Sequence, residues 1–323
     1  SNLYKIPNQE KLAEQLQAIS GMDNMFFANS GAEANECAIK IARLHGHKRK
    51  IENPVIVVAD SAFHGRTLAT LTATGNRKVH AGFEPLVDGF VRVPFNDIEA
   101  IKNVAKNNKS VVAIFVEPIQ GEGGIRIPNV HYLKELRNIC DQKEWLLMLD
   151  EIQTGYGRTG AFFSYQNYDV IPDIATLAKG LGNGVPIGVC LAKGKASELM
   201  QPGNHGSTFG GNPLVCRVAS AVLDEIERQN LSERAGQLGL RMKKVFEDRI
   251  GSLNIVREIR GIGLMFGIEL NEPCSHLVEK ALEKKLLINV TAGNVIRLLP
   301  PLTITDAEAD QICELVSQLI EGR

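Results

Sequence analysis

No run of apolar residues in this sequence is long enough to cross a bilayer; stretches such as Trp145–Leu149 fall far short of the ~20 residues that a spanning helix needs. Neither sign of charge is in excess, with 36 Lys and Arg against 37 Asp and Glu. The resulting formal charge of -1 removes any general electrostatic reason to bind nucleic acid or an anionic membrane, so a polyanion site would have to be local. The six cysteines include no Cys-x-x-Cys pair and sit mostly in apolar or helical stretches, which predicts buried reduced thiols. Seven histidines are scattered without a His-Glu-x-x-His, so no metal site is expected. His45 and His47, near a helix end, read as solvated. There is no internal repeat, low-complexity tract or Gly/Ser linker. The start, Ser-Asn-Leu-Tyr-Lys-Ile-Pro, has neither the apolar core of a signal peptide nor an initiator Met, giving the expectation of a cytoplasmic chain that is incomplete at its start.

What is present is an ordinary globular composition, 44% hydrophobic and 23% charged over 323 residues, enough for about two domains. Short runs rich in Val, Ile, Leu and Phe recur at Met25–Ala28, Pro54–Ala59, Val111–Glu117, Trp145–Asp150, Ile174–Ala178 and Ile187–Ala192, with helical segments between several of them. That is the pattern of a buried, mostly parallel sheet. Ala34–Leu44 places Ala34, Ala38, Ile41 and Ala42 on one helical face, and Leu133–Lys143 reads as a second helix. After Pro213 the texture changes. Leu214–Gln229 and Leu231–Arg249 read as long helices in succession, followed by strand candidates Gly261–Leu270 and Val295–Leu299 and helices Ser275–Lys285 and Asp306–Glu321. The expected organisation is a large α/β domain over 1–213 and a small α+β domain over 214–323, joined by a long helix.

Gly155-Tyr-Gly-Arg-Thr-Gly160 matches the dinucleotide fingerprint, but its context argues against that use. Four residues separate it from the strand ending at Asp150, Asp150 and Glu151 put carboxylates nearby, and the following Ala-Phe-Phe-Ser-Tyr is not helical. A better anion site is Asn29-Ser-Gly-Ala-Glu33, where a strand ends and a helix begins, so that free N–H groups and the helix dipole favour a phosphate. Alone, Ser30 there would be an ordinary N-cap.

Three other loops reach the same sheet edge. Asp150 ends an apolar strand, and Lys179 ends another and precedes Gly180-Leu-Gly-Asn-Gly184, a placement that raises the expectation of a Schiff-base nucleophile above that of a surface charge. Phe63-His64-Gly65-Arg66 follows a third strand and could supply an aromatic face and a carboxylate-binding guanidinium. A phosphate cradle, an aromatic ring, an acid and an amine are the parts needed to hold pyridoxal phosphate.

The motifs Asn29-Ser-Gly-Ala-Glu-Ala-Asn-Glu36, Phe63-His-Gly-Arg66, Glu117-Pro-Ile-Gln-Gly-Glu-Gly-Gly124, Asp150-Glu-Ile-Gln-Thr-Gly-Tyr-Gly-Arg-Thr-Gly160, Leu177-Ala-Lys-Gly180 and His205-Gly-Ser-Thr-Phe-Gly-Gly-Asn-Pro213 occur in order along the whole chain. On these the sequence resembles the class III (ω-amino acid) aminotransferases. The resemblance implies the type I pyridoxal-phosphate fold, a large domain with a mostly parallel seven-stranded sheet plus a smaller α+β domain, working as a homodimer. Members carry a further N-terminal segment that completes the small domain and one wall of the substrate site.

For the site, the resemblance implies that Lys179 holds the cofactor covalently and then acts as proton carrier, with Asp150 paired to the pyridine nitrogen. Phe63 would stack on the ring, Gln153 would contact the ring oxygen, and Ser30, Gly31 and Ala32 would bind phosphate. Ser207 and Thr208 would reach across from the partner subunit. Arg66 and Arg297 would clamp substrate carboxylates, with Glu122 covering Arg297 through a salt bridge until glutamate binds. The reaction implied is transamination of N2-acetylornithine with 2-oxoglutarate, in arginine biosynthesis. Succinyl-diaminopimelate, ornithine, succinylornithine and 4-aminobutyrate are other candidate donors, and a cofactor-binding fragment without activity is the alternative outside the enzyme class.

Overall fold

The computed structural model describes residues 4–322. All six apolar runs form strands, because a strand covered on both faces carries apolar side chains at every position. They are β1 (Asn24–Ala28), β2 (Val55–Ala59), β4 (Val111–Val116), β5 (Leu146–Asp150), β6 (Ile174–Leu177) and β7 (Gly188–Ala192). A seventh strand, β3 (Phe90–Val93), has no such signature. It lies at the sheet edge, is only partly buried, and contains the exposed Arg92.

The strand order is β1-β7-β6-β5-β4-β2-β3. Neighbours from β6 through β3 pair in parallel, whereas β7 runs antiparallel to both β6 and β1. Six strands therefore share one direction, as the expected mostly parallel sheet requires, and their C-terminal ends line one edge.

Alternate side chains enter two cores. Ile56, Val58, Phe115 and Met148 meet helix α2 (Gly31–Lys48) on one face. Val57, Ile114, Leu147 and Leu149 meet α1 (Pro7–Ser20), α5 (Ile98–Asn107), α6 (Tyr132–Lys143) and α7 (Pro213–Arg228) on the other. Short helices α3 (Leu68–Ala73) and α4 (Arg77–His80) follow β2. All six cysteines are buried free thiols. His47 is exposed, but His45 is buried, contrary to expectation: its Nε2 lies 2.7 Å from the Glu144 carbonyl, and desolvation holds its pKa below the usual value.

The C-terminal part is built on an antiparallel sheet of order β10-β11-β9-β8, formed by β8 (Val256–Ile262), β9 (Met265–Leu270), β10 (Asn289–Thr291) and β11 (Val295–Leu298). Helices α8 (Leu231–Ile250), α9 (Leu277–Glu283) and α10 (Asp306–Glu321) close a separate core on it. The stretch expected as a single strand, Gly261–Leu270, instead spans a hairpin. Ile262 pairs with Met265 across a two-residue turn whose first residue, Gly263, has φ 56°, as a type II′ turn demands. Among the described residues, no helix is long and apolar enough to cross a membrane.

The apolar face of α7 lies in the large-domain core, whereas α8 from Ala235 onward lines the small-domain core. We propose that the domains divide at the α7–α8 link rather than at 213, since α7 buries its hydrophobic face against the sheet.

Packing also explains the glycines of the 155–160 loop. No long helix leaves the loop, which instead presses against α8: a Cβ on Gly157 would come 2.6 Å from Ser232 Oγ, and one on Gly160 3.3 Å from the Gly236 Cα. On the same helix, a Cβ at Gly239 would lie 2.1 Å from the Gly263 carbonyl oxygen of the hairpin turn. Gly239→Ala therefore sets helix propensity against sterics. Alanine is favoured by about 1 kcal/mol in a helix interior, yet the clash is with backbone. The expected net result is a loss of roughly 1–3 kcal/mol, measured as a lower urea midpoint at unchanged slope.

Candidate active site

A parallel sheet delivers the ends of its strands, and the loops that follow them, to one edge. At this edge lies a cavity of about 540 Å³. The β1–α2 turn contributes Ser30, Gly31 and Ala32, and the loop after β2 contributes Phe63 and Arg66. Glu117 and Glu122 come from the segment after β4, Asp150 and Gln153 from the end of β5, and Lys179 from the end of β6. Nine of the twelve residues expected at the site thus line one cavity.

Arg297 joins them through Glu122, its Nη1 donating to Glu122 Oε1 at 2.7 Å. Ser207 touches the rim, where its Oγ accepts from Asn29 Nδ2 at 2.9 Å. Thr208 lies off the cavity and exposed, so this subunit does not bring it to its own site.

Ser30 caps α2, its hydroxyl accepting from the Glu33 N–H at 3.2 Å, and leaves the first turn of an 18-residue helix facing the cavity. Glu33 folds back, its carboxylate accepting from the Asn29 side chain at 2.9 Å. Free N–H groups and a positive helix end favour an anion at this end of the cavity.

Asp150 is buried at the cavity floor and held by three donors. Its Oδ2 accepts from Asn35 Nδ2 at 2.9 Å and from His64 Nδ1 at 2.8 Å, and its Oδ1 accepts from the Ile152 N–H at 3.1 Å. A carboxylate only accepts, so the His64 proton sits on Nδ1. The His64 ring stacks on Phe115, with centroids 4.1 Å apart. Asn35 is itself oriented by Thr176, whose hydroxyl donates to its Oδ1 at 2.7 Å.

On the neighbouring strand end, Glu117 accepts from the N–H groups of Phe63 at 3.0 Å and Gly121 at 3.1 Å. Burial pushes its pKa up to about 7; Asp150 adds to the rise, while His64 and the two N–H groups oppose it. Glu117 thereby ties the ring-bearing loop to the turn that carries Glu122.

Lys179 stands at φ 42°, and its side chain is reached by solvent through the cavity. The protein packed around the amine nonetheless depresses its pKa. Desolvation is the main cause, opposed by Asp150, Glu117 and Glu122 and reinforced by Arg297. A depressed pKa increases the fraction of uncharged, nucleophilic amine. Arg66 is exposed and has no hydrogen-bond or ion-pair partner among the described residues, leaving its guanidinium open to an incoming carboxylate.

Asn35, Glu117 and His64 carried no assigned role in the sequence reading, although each stands inside a quoted motif. The available signal for Glu117 was that it ends an apolar strand as Asp150 does. His64 and Asn35 have no local signal, because only folding brings them to Asp150.

The site fits pyridoxal 5'-phosphate on its own chemistry. A buried carboxylate is fixed for a ring N–H, a long helix offers its N-terminus to a phosphate, and an amine of lowered basicity stands in the same cavity. Gln153 lines that cavity, and its buried Oε1 has no hydrogen-bond partner among the described residues, as suits an acceptor reserved for a ligand hydroxyl. Fold and site together define a pyridoxal-phosphate enzyme of fold type I.

Comparison with known proteins narrows the class. The family pattern Aminotransferase class-III matches residues 1–320, and the chain belongs to that family. It is 57% identical over 320 residues to an acetylornithine aminotransferase of Nitrosomonas europaea, covering 99% of this chain and 81% of the relative. An acetylornithine aminotransferase of Methanothermobacter thermautotrophicus is 46% identical, with coverage of 99% and 80%. Among solved structures, the ornithine aminotransferase of Toxoplasma gondii superposes with a TM-score of 0.93 at 33% identity, covering 97% of this chain and 76% of that one. The acetylornithine aminotransferase of Elizabethkingia anophelis gives 0.89 at 35% identity, covering 100% and 81%. This protein is therefore a pyridoxal-phosphate-dependent aminotransferase.

Proposed function

We propose that the chain transfers the distal amino group of N2-acetylornithine to 2-oxoglutarate, producing N-acetylglutamate 5-semialdehyde and glutamate in arginine biosynthesis. The observation that carries this reading is the pairing of Glu122 with Arg297 at 2.7 Å in a site where Arg66 stands open. A donor with a blocked α-amine and a single carboxylate needs one exposed guanidinium. Glutamate, with two carboxylates, needs two. An arginine already neutralised by an exposed glutamate serves the first substrate by staying covered and the second by being released.

When bound, the cofactor supplies an electrophilic aldehyde carbon and a ring able to take up electrons. The Ser30 hydroxyl and the N–H groups of Gly31 and Ala32 would hold its phosphate, Phe63 would cover a ring face, and Gln153 would meet the ring oxygen. Asp150, fixed by three donors, would meet the ring nitrogen as a hydrogen-bond acceptor and so favour the protonated ring. Lys179 would provide the covalent attachment and would then carry the proton removed from and returned to the carbon bearing the transferred nitrogen. Arg66 grips the α-carboxylate of acetylornithine and later the γ-carboxylate of glutamate, whose α-carboxylate goes to Arg297.

The reading includes a homodimer in which Ser207 and Thr208 reach the partner's phosphate, supported by the exposure of Thr208 and of the adjoining Phe209, 69% accessible. It also includes a cytoplasmic location, with which six unpaired thiols agree.

Initial rates with 2-oxoglutarate and each of acetylornithine, succinylornithine, ornithine and 4-aminobutyrate test the substrate. Acetylornithine is expected to give the highest kcat/KM, and a higher value for 4-aminobutyrate overturns the assignment. Arg297→Ala is expected to slow the glutamate half-reaction by roughly 100-fold, the order of a lost bidentate charge pair, while leaving the acetylornithine half within about threefold. Equal losses in both halves would reject the division of labour.

A further inference from the structure

The turn that carries Glu122 is held from below by three residues in a row on the small-domain sheet. Strand register sets Arg260 of β8 opposite Gly267 of β9, and Gly267 opposite Arg297 of β11. Directly facing residues on neighbouring strands project to the same face. An Arg–Gly–Arg row therefore crosses the sheet.

The segment 121–125 of the large domain sits on it. Glu122 meets Arg297 at one end. At the other, Arg260 Nε donates to the carbonyl oxygen of Ile125 at 2.8 Å and its Nη2 to that of Gly124 at 2.6 Å. Between them the Ile125 side chain lies over Gly267, where a Cβ would come 2.9 Å from the Ile125 Cβ. Ile125 has φ 49°. A β-branched residue in the left-handed region is strained and persists only where its surroundings over-determine it. Here that conformation belongs to a turn that presents two successive carbonyls to one guanidinium.

The two arginines differ in what could displace their contacts. The Arg260 side chain is only 11% exposed, and its remaining Nη1 is engaged by Glu258 at 2.6 Å and Glu269 at 2.7 Å, on its own strand and the adjoining one. None of these partners is one that a substrate carboxylate would replace. Arg297 holds a single carboxylate, and its buried Nε has no partner among the described residues.

We propose that Arg260 and Gly267 are specificity-positioning residues, which seat the turn so that Glu122 stays on Arg297 until a dicarboxylate competes for it. This rests on the reading above that Glu122 screens Arg297. Loosening the seat should release Glu122 more easily and so favour glutamate over the single-carboxylate donor.

Single-turnover rates for both half-reactions of the holoenzyme, in Glu122→Ala, Arg260→Gln, Arg260→Lys, Gly267→Ala and the Glu122→Ala/Arg260→Gln double variant, test this. Arg260→Gln and Gly267→Ala are expected to raise the glutamate-to-acetylornithine ratio of kcat/KM by about tenfold, in the same direction as Glu122→Ala. Arg260→Lys, which keeps the charge, should shift it less. Calorimetry with glutarate, a dicarboxylate with no amine to react, should show correspondingly tighter binding. The double variant should match Glu122→Ala alone, because Arg260 acts only through Glu122.

A ratio unchanged in Arg260→Gln while Glu122→Ala shifts it overturns the positioning role alone. Full additivity in the double variant, or equal loss in both halves with only a lowered melting temperature, does the same. No shift in Glu122→Ala overturns the underlying reading and this inference together. Should Gly267→Ala fail to fold, the two Arg260 variants decide the matter.

Discussion

Lys179→Ala is expected to reduce transamination by at least about 10⁴-fold, since one amine is asked to supply both covalent attachment and proton transfer. No other lysine lines the cavity, and desolvation as the leading cause of its depressed pKa is what a nucleophilic amine requires. The side chain reaches into open cavity rather than core, so the cofactor-free variant should unfold at the same denaturant midpoint as the parent protein. Borohydride reduction of the holoenzyme followed by peptide mapping should mark Lys179 and no other lysine. A label elsewhere, or turnover within tenfold of the parent in the variant, rejects the assignment.

Asp150→Asn is expected to keep the cofactor bound but lower the proton-transfer rate by roughly 10³-fold. The proposed phosphate and covalent contacts, at the α2 N-terminus and at Lys179, lie elsewhere in the cavity, so affinity is not expected to depend on Asp150 alone. What the substitution removes is the negative charge, which favours a protonated ring nitrogen in a site of low dielectric. The amide also disturbs its neighbours: an NH2 placed at the Oδ2 position would face two donors, Asn35 Nδ2 and His64 Nδ1. Stopped-flow measurement of each half-reaction, with a check by deuterium substitution at the carbon bearing the transferred nitrogen, separates the two effects. A rate near that of the parent protein would mean that Asp150 is only structural.

Much of this site could be read from short stretches of chain because its parts are local events at strand ends. A polar residue closing an apolar run, as at Asp150 and Lys179, and a small-residue turn opening a helix, as at Ser30, leave marks within a few residues. Parallel pairing then places every such ending on the same edge. The Glu122–Arg297 pair was expected from family resemblance, not from spacing, since 175 residues separate the partners. We place the domain division after α7 and not at 213 as a proposal, because the apolar periodicity of α7 shows that the helix has a buried face without showing which core receives it.

The sequence by itself determined six strands of the large sheet, most of the helices, and the strand-end positions of Asp150 and Lys179, because periodicity, capping and strand termination act over a few neighbours, while its motifs carried the resemblance that implied the type I pyridoxal-phosphate fold. Only the tertiary structure decided what those residues rest on. His64 and Asn35 reach Asp150 across 86 and 115 positions, and Arg260, Gly267 and Arg297 align only through the register of three strands. The edge strand β3, half-buried and interrupted by Arg92, was equally hidden. In each case the deciding interaction is between segments distant in sequence, where pairing register and packing select the neighbour and no local pattern encodes it.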